Sequence, residues 1–447
     1  MYPALDVPWI GGGWVIGIVA ILHVFISHFG VGGGLYLPFM EAHARNSGDA
    51  EMLSFLRRGT RFYLVVTGVY GASTGVGIWF AIGLVNPVAT SWLIHTFVIA
   101  WAVEWLVFLL EMAAMTAYAY SWGKVSPEAH LKLGWLMALA SWLSLVVING
   151  ILTFMLTPGA RWLEEHSLWH AFLNPSYLPS LLLRTLVAWN LAAVWGFVPA
   201  TRIKSPGVRK RVMHATALWV VPGFLLMPLA ALWYFAAVPP ESIEVLRGGT
   251  TGMAVGNLSL ATRVLLVVVM CSVTLGLIVY FGPWKNPQGF TLGHAVGVLV
   301  LALVATGSTE WVREVLRKPY AVRSVLYSSG LRPEEVAPTM TRGYLETAVW
   351  AKQFAQSRGN TELARGEAIF RGQCLACHTR SGYRGLDRLL AGRDFEATVR
   401  MAETLRSTDP KQNAYLKFMP PLVCTPDEAR ALARYLVTLV PPSGATP

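Results

Sequence analysis

Eight long apolar stretches, separated by short polar segments, fill the chain up to about residue 310. The hydrocarbon core of a bilayer is about 30 Å thick, so a helix needs roughly 20 apolar residues to cross it. The stretches have this length and predict eight membrane-spanning helices. They lie approximately at residues 13–39, 62–84, 92–120, 133–156, 181–200, 212–237, 264–281 and 290–309.

Lys and Arg residues are concentrated in alternate connections between these stretches. Short loops that are rich in Lys and Arg stay in the cytoplasm. The connections after the first, third and fifth stretches contain the basic clusters, which are Arg45, Arg57, Arg58 and Arg61, then Lys124 and Lys132, then Lys204, Arg209, Lys210 and Arg211. This asymmetry places the N-terminus outside the cytoplasm, and an even number of spans places the C-terminus outside too.

The composition agrees with a membrane protein. The chain of 447 residues is 54% hydrophobic and only 14% charged, which is too apolar for a soluble protein of this length. The formal net charge of +11 comes from basic residues between the apolar stretches, so we expect a lipid bilayer, and no nucleic acid, as its partner. The predicted fold class is all-α, a polytopic transmembrane helix bundle with a small all-α domain at its C-terminal end.

Beyond Thr309 the sequence becomes charged and typical of a soluble segment. We therefore expect three parts: a transmembrane domain at residues 1–314, an extracytoplasmic linker at 315–358 and a compact domain at 359–447. The first thirteen residues lack the basic flank of a cleavable signal peptide, so the first span is expected to remain in the protein.

The strongest motif is Cys374-Leu375-Ala376-Cys377-His378, a C-x-x-C-H sequence. In such a motif two thiols add to the haem vinyl groups, and the histidine supplies an axial nitrogen to the iron. A zinc site or a thioredoxin-like pair is the alternative for the two cysteines. Residues 366–435 resemble class I cytochrome c, which implies one covalent haem c with Met419 as the second iron ligand; the alternative for Met419 is a surface or core residue.

Several ionisable side chains lie within the apolar stretches, where they are costly and indicate function. They are His23, His28, His95, Glu104, Glu111, Arg184, His214, His294, Glu310 and Glu314. Glu104 and Glu111 are seven residues apart, so they share one helix face and predict a polar path or carboxylates for a metal. The alternatives are an interfacial anchor for His214, contact with water for Glu310, and a hydrogen-bonded interior group for His28 or His294.

The membrane part also resembles subunit I of the cytochrome bd quinol oxidases, from about residue 13 to residue 320. The interval from His23 to the Met40-Glu41 pair is the same as in the first helix of that subunit. Further similar segments follow in the same order: Ala138-Leu139-Ala140-Ser141, Leu143-Ser144, Asn149-Gly150, Thr157-Pro158, and Glu314-Val315-Leu316-Arg317-Lys318-Pro319-Tyr320.

This resemblance implies haem b or haem d groups in the membrane domain, two in number. It implies that His23 and Glu314 are ligands of a membrane haem iron, with His28 as a further candidate. Arg317 and Arg263 would contact haem propionates. Glu104 and Glu111 would serve proton delivery or haem ligation.

The chain also departs from that family. Arg184 and Leu265 stand where the family has the histidine and methionine ligands of a quinol-side haem, and a protonated arginine does not ligate iron. Residues 238–263 are too few for the long quinol-binding loop. We therefore expect that this haem is absent and that the haem c replaces it as the point of electron entry.

Two functions are consistent with these features. In the first, the protein is a cytochrome c-fed, bd-like terminal oxidase subunit that reduces oxygen at a buried dihaem site. In the second, it is a non-catalytic electron-transfer subunit between a periplasmic redox partner and a membrane complex or the quinone pool. We expect a multi-pass protein of the bacterial inner membrane with its C-terminal domain in the periplasm. The expected partners are a second bd-like membrane subunit or a second copy of the chain, and a periplasmic cytochrome or redox enzyme.

Overall fold

The computed structural model describes residues 4–247 and 259–440. The middle of the predicted short loop at 238–263 therefore lies outside the described residues. The N-terminal part of the chain is a bundle of helices. Its helices are α1 (Gly12–Asn46), α2 (Ala50–Tyr63), α3 (Ala72–Val85), α4 (Pro87–Thr96), α5 (Val98–Tyr120), α6 (Pro127–Phe154), α7 (Ala160–Glu165), α8 (Leu168–Phe172), α9 (Tyr177–Ala200), α10 (Pro206–Ala237), α11 (Pro240–Arg247), α12 (Leu260–Val279) and α13 (Leu292–Leu316).

Eight helical segments in the described part of the chain are long and apolar enough to cross a membrane. A π-helical turn at Leu64–Gly71 joins α2 to α3 into one segment, and a second turn at Tyr280–Lys285 extends α12. The other six segments are α1, α5, α6, α9, α10 and α13. Each coincides with one of the eight apolar stretches, so the predicted polytopic all-α fold is confirmed.

The centre of the bundle is packed with aromatic side chains. Phe29 of α1 stacks on Trp195 of α9, with ring centroids 5.1 Å apart. Tyr36 of α1 is buried, and its hydroxyl lies 2.8 Å from the hydroxyl of Thr216 on α10. Burial of such large rings contributes to packing in the bundle, and the hydroxyl pair satisfies polar groups that lipid cannot hydrate. The first helix is thereby held at the core of the domain.

The rest of the chain forms a smaller helical unit beyond the end of α13. A short antiparallel hairpin of β1 (Tyr320–Val322) and β2 (Leu326–Tyr327) comes first. The helices that follow are α14 (Pro333–Arg342), α15 (Tyr344–Thr347), α16 (Val349–Ser357), α17 (Glu362–Ile369), α18 (Leu386–Leu389), α19 (Phe395–Arg406) and α20 (Pro426–Val437). The sequence assigns residues 344–357 to the linker, yet Tyr344 and Ala351 lie in one apolar core with Phe370 and Leu432.

The C-terminal unit lies against the start of the first helix. The backbone amide of Tyr383 donates to the carbonyl oxygen of Trp9 at 2.6 Å, and Arg380 forms an ion pair with Asp6. The Trp14 and Tyr383 rings meet edge to face at 5.6 Å. Because α1 begins and α13 ends at this side of the bundle, the C-terminal unit covers the predicted extracytoplasmic end.

Candidate functional site

The C-x-x-C-H segment follows a π-helical turn that ends at Cys374. The side-chain amide of Gln373, the preceding residue, donates to the carbonyl oxygen of Val423 at 2.7 Å. Its side-chain oxygen accepts from the Val423 amide at 2.9 Å. This pair of hydrogen bonds holds the chain just beyond Met419 against the motif, and Met419 itself is half-buried. The predicted second iron ligand thus lies on a segment that is tied to the predicted attachment site.

The side chains of the motif suit a covalent haem. The Nδ1 atom of His378 lies 3.1 Å from the carbonyl oxygen of Arg384, so it donates there and leaves Nε2 available for an iron. Burial lowers the pKa of His378, which favours the neutral imidazole that a metal requires. Both Cys374 and Cys377 are free thiols, and burial raises the pKa of Cys374 to about 12. Cys424 is also a free thiol, fully buried.

The second cysteine of the motif, Cys377, lies close in space to the residues that follow the C-terminal end of α13. The Lys318 ammonium donates to the Cys377 sulfur at 3.8 Å and lies 3.5 Å from Oε1 of Glu314. The Cys377 sulfur is also 3.9 Å from the hydroxyl of Ser328. One residue, Lys318, therefore contacts both the predicted haem c attachment site and the carboxylate predicted to serve a membrane haem.

Arg317 connects this junction to the bundle. Its guanidinium forms an ion pair with Glu314 and donates to the carbonyl oxygen of Ala321 at 2.8 Å. The residue is only 9% exposed, and its buried Nε has no hydrogen-bond partner among the described residues. An unpaired buried donor is costly, and a haem propionate would satisfy it. Arg317 thus fits its predicted role, whereas the Glu314 carboxylate is bound here by two cations.

His23 and His28 lie on the first helix with one ring nitrogen of each already engaged. Nδ1 of His23 lies 3.2 Å from the hydroxyl of Thr74, and Nδ1 of His28 lies 2.7 Å from the carbonyl oxygen of Val24. Nε2 of each ring remains available as a ligand atom. His28 is 4% exposed and interacts electrostatically with Arg184 and Glu310. The predicted ligand role of His23 thus fits its hydrogen bonding.

His23 and Glu314 are on neighbouring antiparallel helices at different heights. Gly307 of α13 faces Ile21 of α1, and a methyl group at Gly307 would lie 3.3 Å from the Ile21 side chain. Counted from this contact, the two residues are roughly 14 Å apart along the bundle at 1.5 Å of rise per residue. They flank one region of the outer half of the bundle without touching.

Arg184 takes part in a buried ion cluster, which does not fit an axial ligand of a haem. Its guanidinium lies 3.5 Å from Oε1 of Glu310, and the Arg313 guanidinium lies 2.8 Å from Oε2. The interpretation of Glu310 as a group that faces water was wrong, because its side chain is 14% exposed and has two cationic partners. Leu265, which stands in place of the methionine ligand, is 62% exposed on the surface of the bundle.

Glu104 and Glu111 both face α6. The Ser141 hydroxyl donates to Glu111 at 2.8 Å, and the Ser144 hydroxyl donates to Glu104 at 3.5 Å. Within the described residues no group of three or more His, Cys, Asp and Glu side chains could hold a metal ion. Of the two predicted uses of this helix face, the arrangement with serine hydroxyls favours a polar path.

The remaining ionisable residues lie elsewhere. Arg263 is half-buried in the first turn of α12. Nδ1 of His95 is 2.7 Å from the Ser91 carbonyl oxygen, and Nε2 of His214 is 2.9 Å from that of Trp284. His294 caps the start of α13. The three histidines are thus engaged with nearby backbone or capping groups.

Sequence reasoning missed a buried cluster at the opposite end of the bundle. Glu41, noted only as part of the Met-Glu pair, is completely buried and binds His130, Tyr118 and Arg45. Tyr118 and His130 come from two other helices, α5 and α6, so hydropathy along the chain does not reveal these partners. The one available signal was a histidine and a glutamate at the ends of apolar stretches.

Comparisons with known proteins agree with this architecture. The bd oxidase structure from Geobacillus thermodenitrificans is similar in fold, with a TM-score of 0.58 and 17% sequence identity over 70% of this chain and 88% of that chain. No curated protein sequence matches significantly. The family model described as cytochrome bd terminal oxidase subunit I matches residues 13–236, which is half of the chain. The chain therefore belongs to the cytochrome bd terminal oxidase subunit I family.

Proposed function

We propose that this chain is the subunit of a membrane terminal oxidase that receives electrons through a covalent haem c and reduces oxygen at haems inside the bundle. Membership of the family supports the oxidase class and haems of the b and d types. The donor would be a periplasmic cytochrome or redox enzyme. A second bd-like membrane subunit or a second copy of the chain would cover part of the exposed apolar surface, which includes Leu265.

The contact between Lys318 and Cys377 carries this proposal. It joins the C-x-x-C-H motif to Glu314 at the end of α13, with 3.8 Å and 3.5 Å between the paired atoms. An electron that reaches the C-terminal unit therefore has a short route into the bundle. The same contact aligns the two domains, because Lys318 is half-buried between them.

The proposed haem ligands and propionate partners are the residues that the sequence predicts for these roles. Cys374 and Cys377 would form the thioethers, with His378 and Met419 as ligands of that iron. In the bundle His23 and Glu314 would each serve a different haem iron, with His28 as a further candidate ligand. Arg317 and Arg263 would hold propionates. Haem supplies reversible one-electron transfer, and an iron with an open position supplies oxygen binding.

Protein groups would supply the protons that oxygen reduction consumes. Glu111 accepts a hydrogen bond from Ser141, and Glu104 lies two turns further out on the same face of α5. A neutral hydroxyl partner leaves each carboxyl group free to gain and lose a proton. The two glutamates would pass protons outward along α5 toward the half of the bundle that contains His23.

The cluster of Arg184, Glu310 and Arg313 supports a change in the point of electron entry. A guanidinium cannot ligate iron, and this one is bound to a carboxylate. We therefore expect cytochrome c, rather than quinol, to be the effective reductant.

Spectroscopy of the purified protein tests the proposal. Pyridine haemochrome analysis should show one c-type haem together with non-covalent haem, and carbon monoxide should shift the dithionite-reduced spectrum of the non-covalent haem. Oxygen consumption should be supported by reduced cytochrome c and not by quinol. A c haem accompanied only by six-coordinate haems that do not respond to carbon monoxide would contradict the oxidase and favour the non-catalytic electron-transfer subunit.

The junction itself is tested with a matched pair of lysine variants. Lys318→Gln should slow electron transfer from the c haem to the bundle haems several-fold or more, because small displacements of aligned groups have large kinetic effects. Lys352→Gln removes an exposed lysine that pairs with Glu346 and should leave the rate unchanged. Equal rates in the two variants would remove the support that this contact gives.

A further inference from the structure

The cluster around Glu41 lies at the cytoplasmic end of the bundle, where the basic loops are. Glu41 is close to the end of α1, and its carboxylate is completely buried. It accepts hydrogen bonds from Tyr118 of α5 at 2.7 Å, from Arg45 of α1 at 2.7 Å and from Nδ1 of His130 at 2.8 Å. Only Arg45, with a side chain 26% exposed, extends toward the solvent. The cluster is thus a buried ionisable site with one exposed member.

The hydrogen bonds of His130 assign an extra proton to this site. Nδ1 faces the Glu41 carboxylate, and Nε2 lies 3.1 Å from the carbonyl oxygen of Tyr118. Both partners are acceptors, and an imidazole donates from both nitrogens only when it is protonated. The ring is 1% exposed and lies between the aromatic rings of Tyr118 and Trp122, with centroids 4.4 Å and 4.2 Å away. The geometry therefore stores one removable proton between His130 and Glu41.

The cluster is aligned with the two glutamates of the proposed proton path. Glu104, Glu111 and Tyr118 recur at intervals of seven residues on α5, so they lie on one face of that helix. Helical side chains tilt toward the N-terminus, which directs Tyr118 toward Glu111. The axial gap between these two residues is roughly 10 Å.

Two hydroxyl groups lie at the Glu111 end of this gap, and that of Tyr63 donates to the carbonyl oxygen of Gly30 at 2.7 Å. The hydroxyls of Tyr63 and Ser141 each lie 3.1 Å from the place where a side chain would start on Gly34. Ser141 donates to Glu111 at 2.8 Å, and Tyr63 is within electrostatic range of both Glu111 and Tyr118. The absence of a side chain at Gly34 allows the two hydroxyls to lie together near Glu111.

We infer that Glu41 and His130 form the proton-loading site at the cytoplasmic entrance of the path that ends at Glu104, an inference that rests on the proposed function. In each transfer the Nδ1 proton of His130 passes to the Glu41 carboxylate. A proton then moves from Glu41 to Glu111 through the hydroxyls of Tyr118, Tyr63 and Ser141, with water between the two tyrosines, and the Tyr63 hydroxyl turns away from the Gly30 carbonyl oxygen as it donates. Each hydroxyl gives up one proton as it accepts another. A proton from cytoplasmic water then restores the imidazolium, and no electron moves in these steps.

The charges around the site suit this role. The titratable groups in contact with Glu41 are Arg45 on α1, Tyr118 on α5 and His130 on α6. Arg45 neutralises the Glu41 carboxylate, so the proton on His130 is the charge that can leave and return. A purely structural ion pair would bind the three helices together equally well but would not exchange protons during turnover.

Proton uptake by the reduced protein distinguishes these roles. The complete protein with its haems is placed in liposomes, reduced photochemically under argon, and followed with a pH-sensitive dye. Glu41→Gln and His130→Gln should each slow uptake from the side that exposes Arg45 by at least about tenfold. Haem content and Tm are measured for every sample. The control is Glu128→Gln, an exposed glutamate at the same end of α6, which should take up protons at the wild-type rate.

Each outcome decides the inference. Wild-type uptake rates in both cluster variants, with normal haem content, would overturn it, as would a wild-type protein that takes up no protons on reduction. If neither variant folds, Tyr118→Phe decides, because it removes only the hydroxyl and should slow uptake about threefold; an unchanged rate would overturn the inference. A wild-type protein whose proton uptake depends on Glu41 but which consumes no oxygen would refute the oxidase and leave the proton-loading site supported.

Discussion

The two halves of the bundle place their carboxylates in opposite surroundings. Near the extracytoplasmic end, Glu310 lies between two arginines, and Glu314 is bound by Arg317 and Lys318. Deeper in the bundle, the hydrogen bond to Glu111 comes from a serine hydroxyl. The first surroundings keep a carboxylate charged, and the second leave it able to exchange a proton.

Under the proposed function, this difference separates the side of electron entry from the side of proton entry. A cluster of fixed charges suits the side that would bind propionates and a haem c domain, because it changes little as electrons pass. A row of carboxyl, hydroxyl and imidazole groups suits the side that draws protons from the cytoplasm. The comparison predicts that substitutions at the outer end affect cofactor binding and stability, whereas those along α5 affect turnover.

The largest expected effect is at the C-x-x-C-H motif, the proposed attachment site of haem c. Replacement of Cys374 and Cys377 by alanine should abolish covalent haem and with it all electron transfer from cytochrome c. Haem staining of a denaturing gel measures the loss. Cys424→Ala is the matched control, because this cysteine lies outside the motif. Burial raises the pKa of its thiol to about 12, so little of the reactive thiolate is present. Retention of covalent haem in the double variant would refute the assignment of the attachment site.

Glu310→Gln should produce the next largest effect, on stability. It leaves Arg184 and Arg313 buried without an anionic partner, which costs about 3 kcal/mol. Thermal unfolding in detergent should show a lower Tm. Glu241→Gln removes an exposed partner of Arg323, with a side chain 73% exposed, and should change stability by less than about 1 kcal/mol. Equal shifts in the two variants would break the contrast between the halves.

Glu111→Gln should have the opposite effect to Glu310→Gln, because it should lower activity and leave stability unchanged. The amide keeps the shape and the hydrogen bond with Ser141 but carries no transferable proton, so oxygen consumption should fall at least about tenfold. Tm and haem content should remain close to the wild-type values. Glu164→Gln, at an exposed position in α7, is the control. A loss of haem in Glu111→Gln would indicate a role in haem ligation instead.

The sequence was sufficient for features that depend on neighbouring residues. The length and apolarity of each span are local properties, so all eight were predicted, as was the shared face of Glu104 and Glu111. The surroundings of Glu310 were not, because Arg184 is far away in the chain and reaches it only through helix packing. The same reason hid the pairing of Glu41 with His130, and the contact of Lys318 with Cys377 depends on how two domains dock.

The smallest effect should come from the serines that face the glutamates. Ser141 donates to Glu111 at 2.8 Å, whereas Ser144 reaches Glu104 only at 3.5 Å. A hydrogen bond of the shorter kind contributes about 1 kcal/mol, so Ser141→Ala should slow oxygen consumption roughly fivefold. Ser144→Ala should change it less, because a contact at 3.5 Å is weak. Rates measured over a range of pH separate the two: a proton-path defect in Ser141→Ala should grow as the pH rises and protons become scarce. A larger effect for Ser144→Ala would place the rate-determining transfer at Glu104, closer to His23.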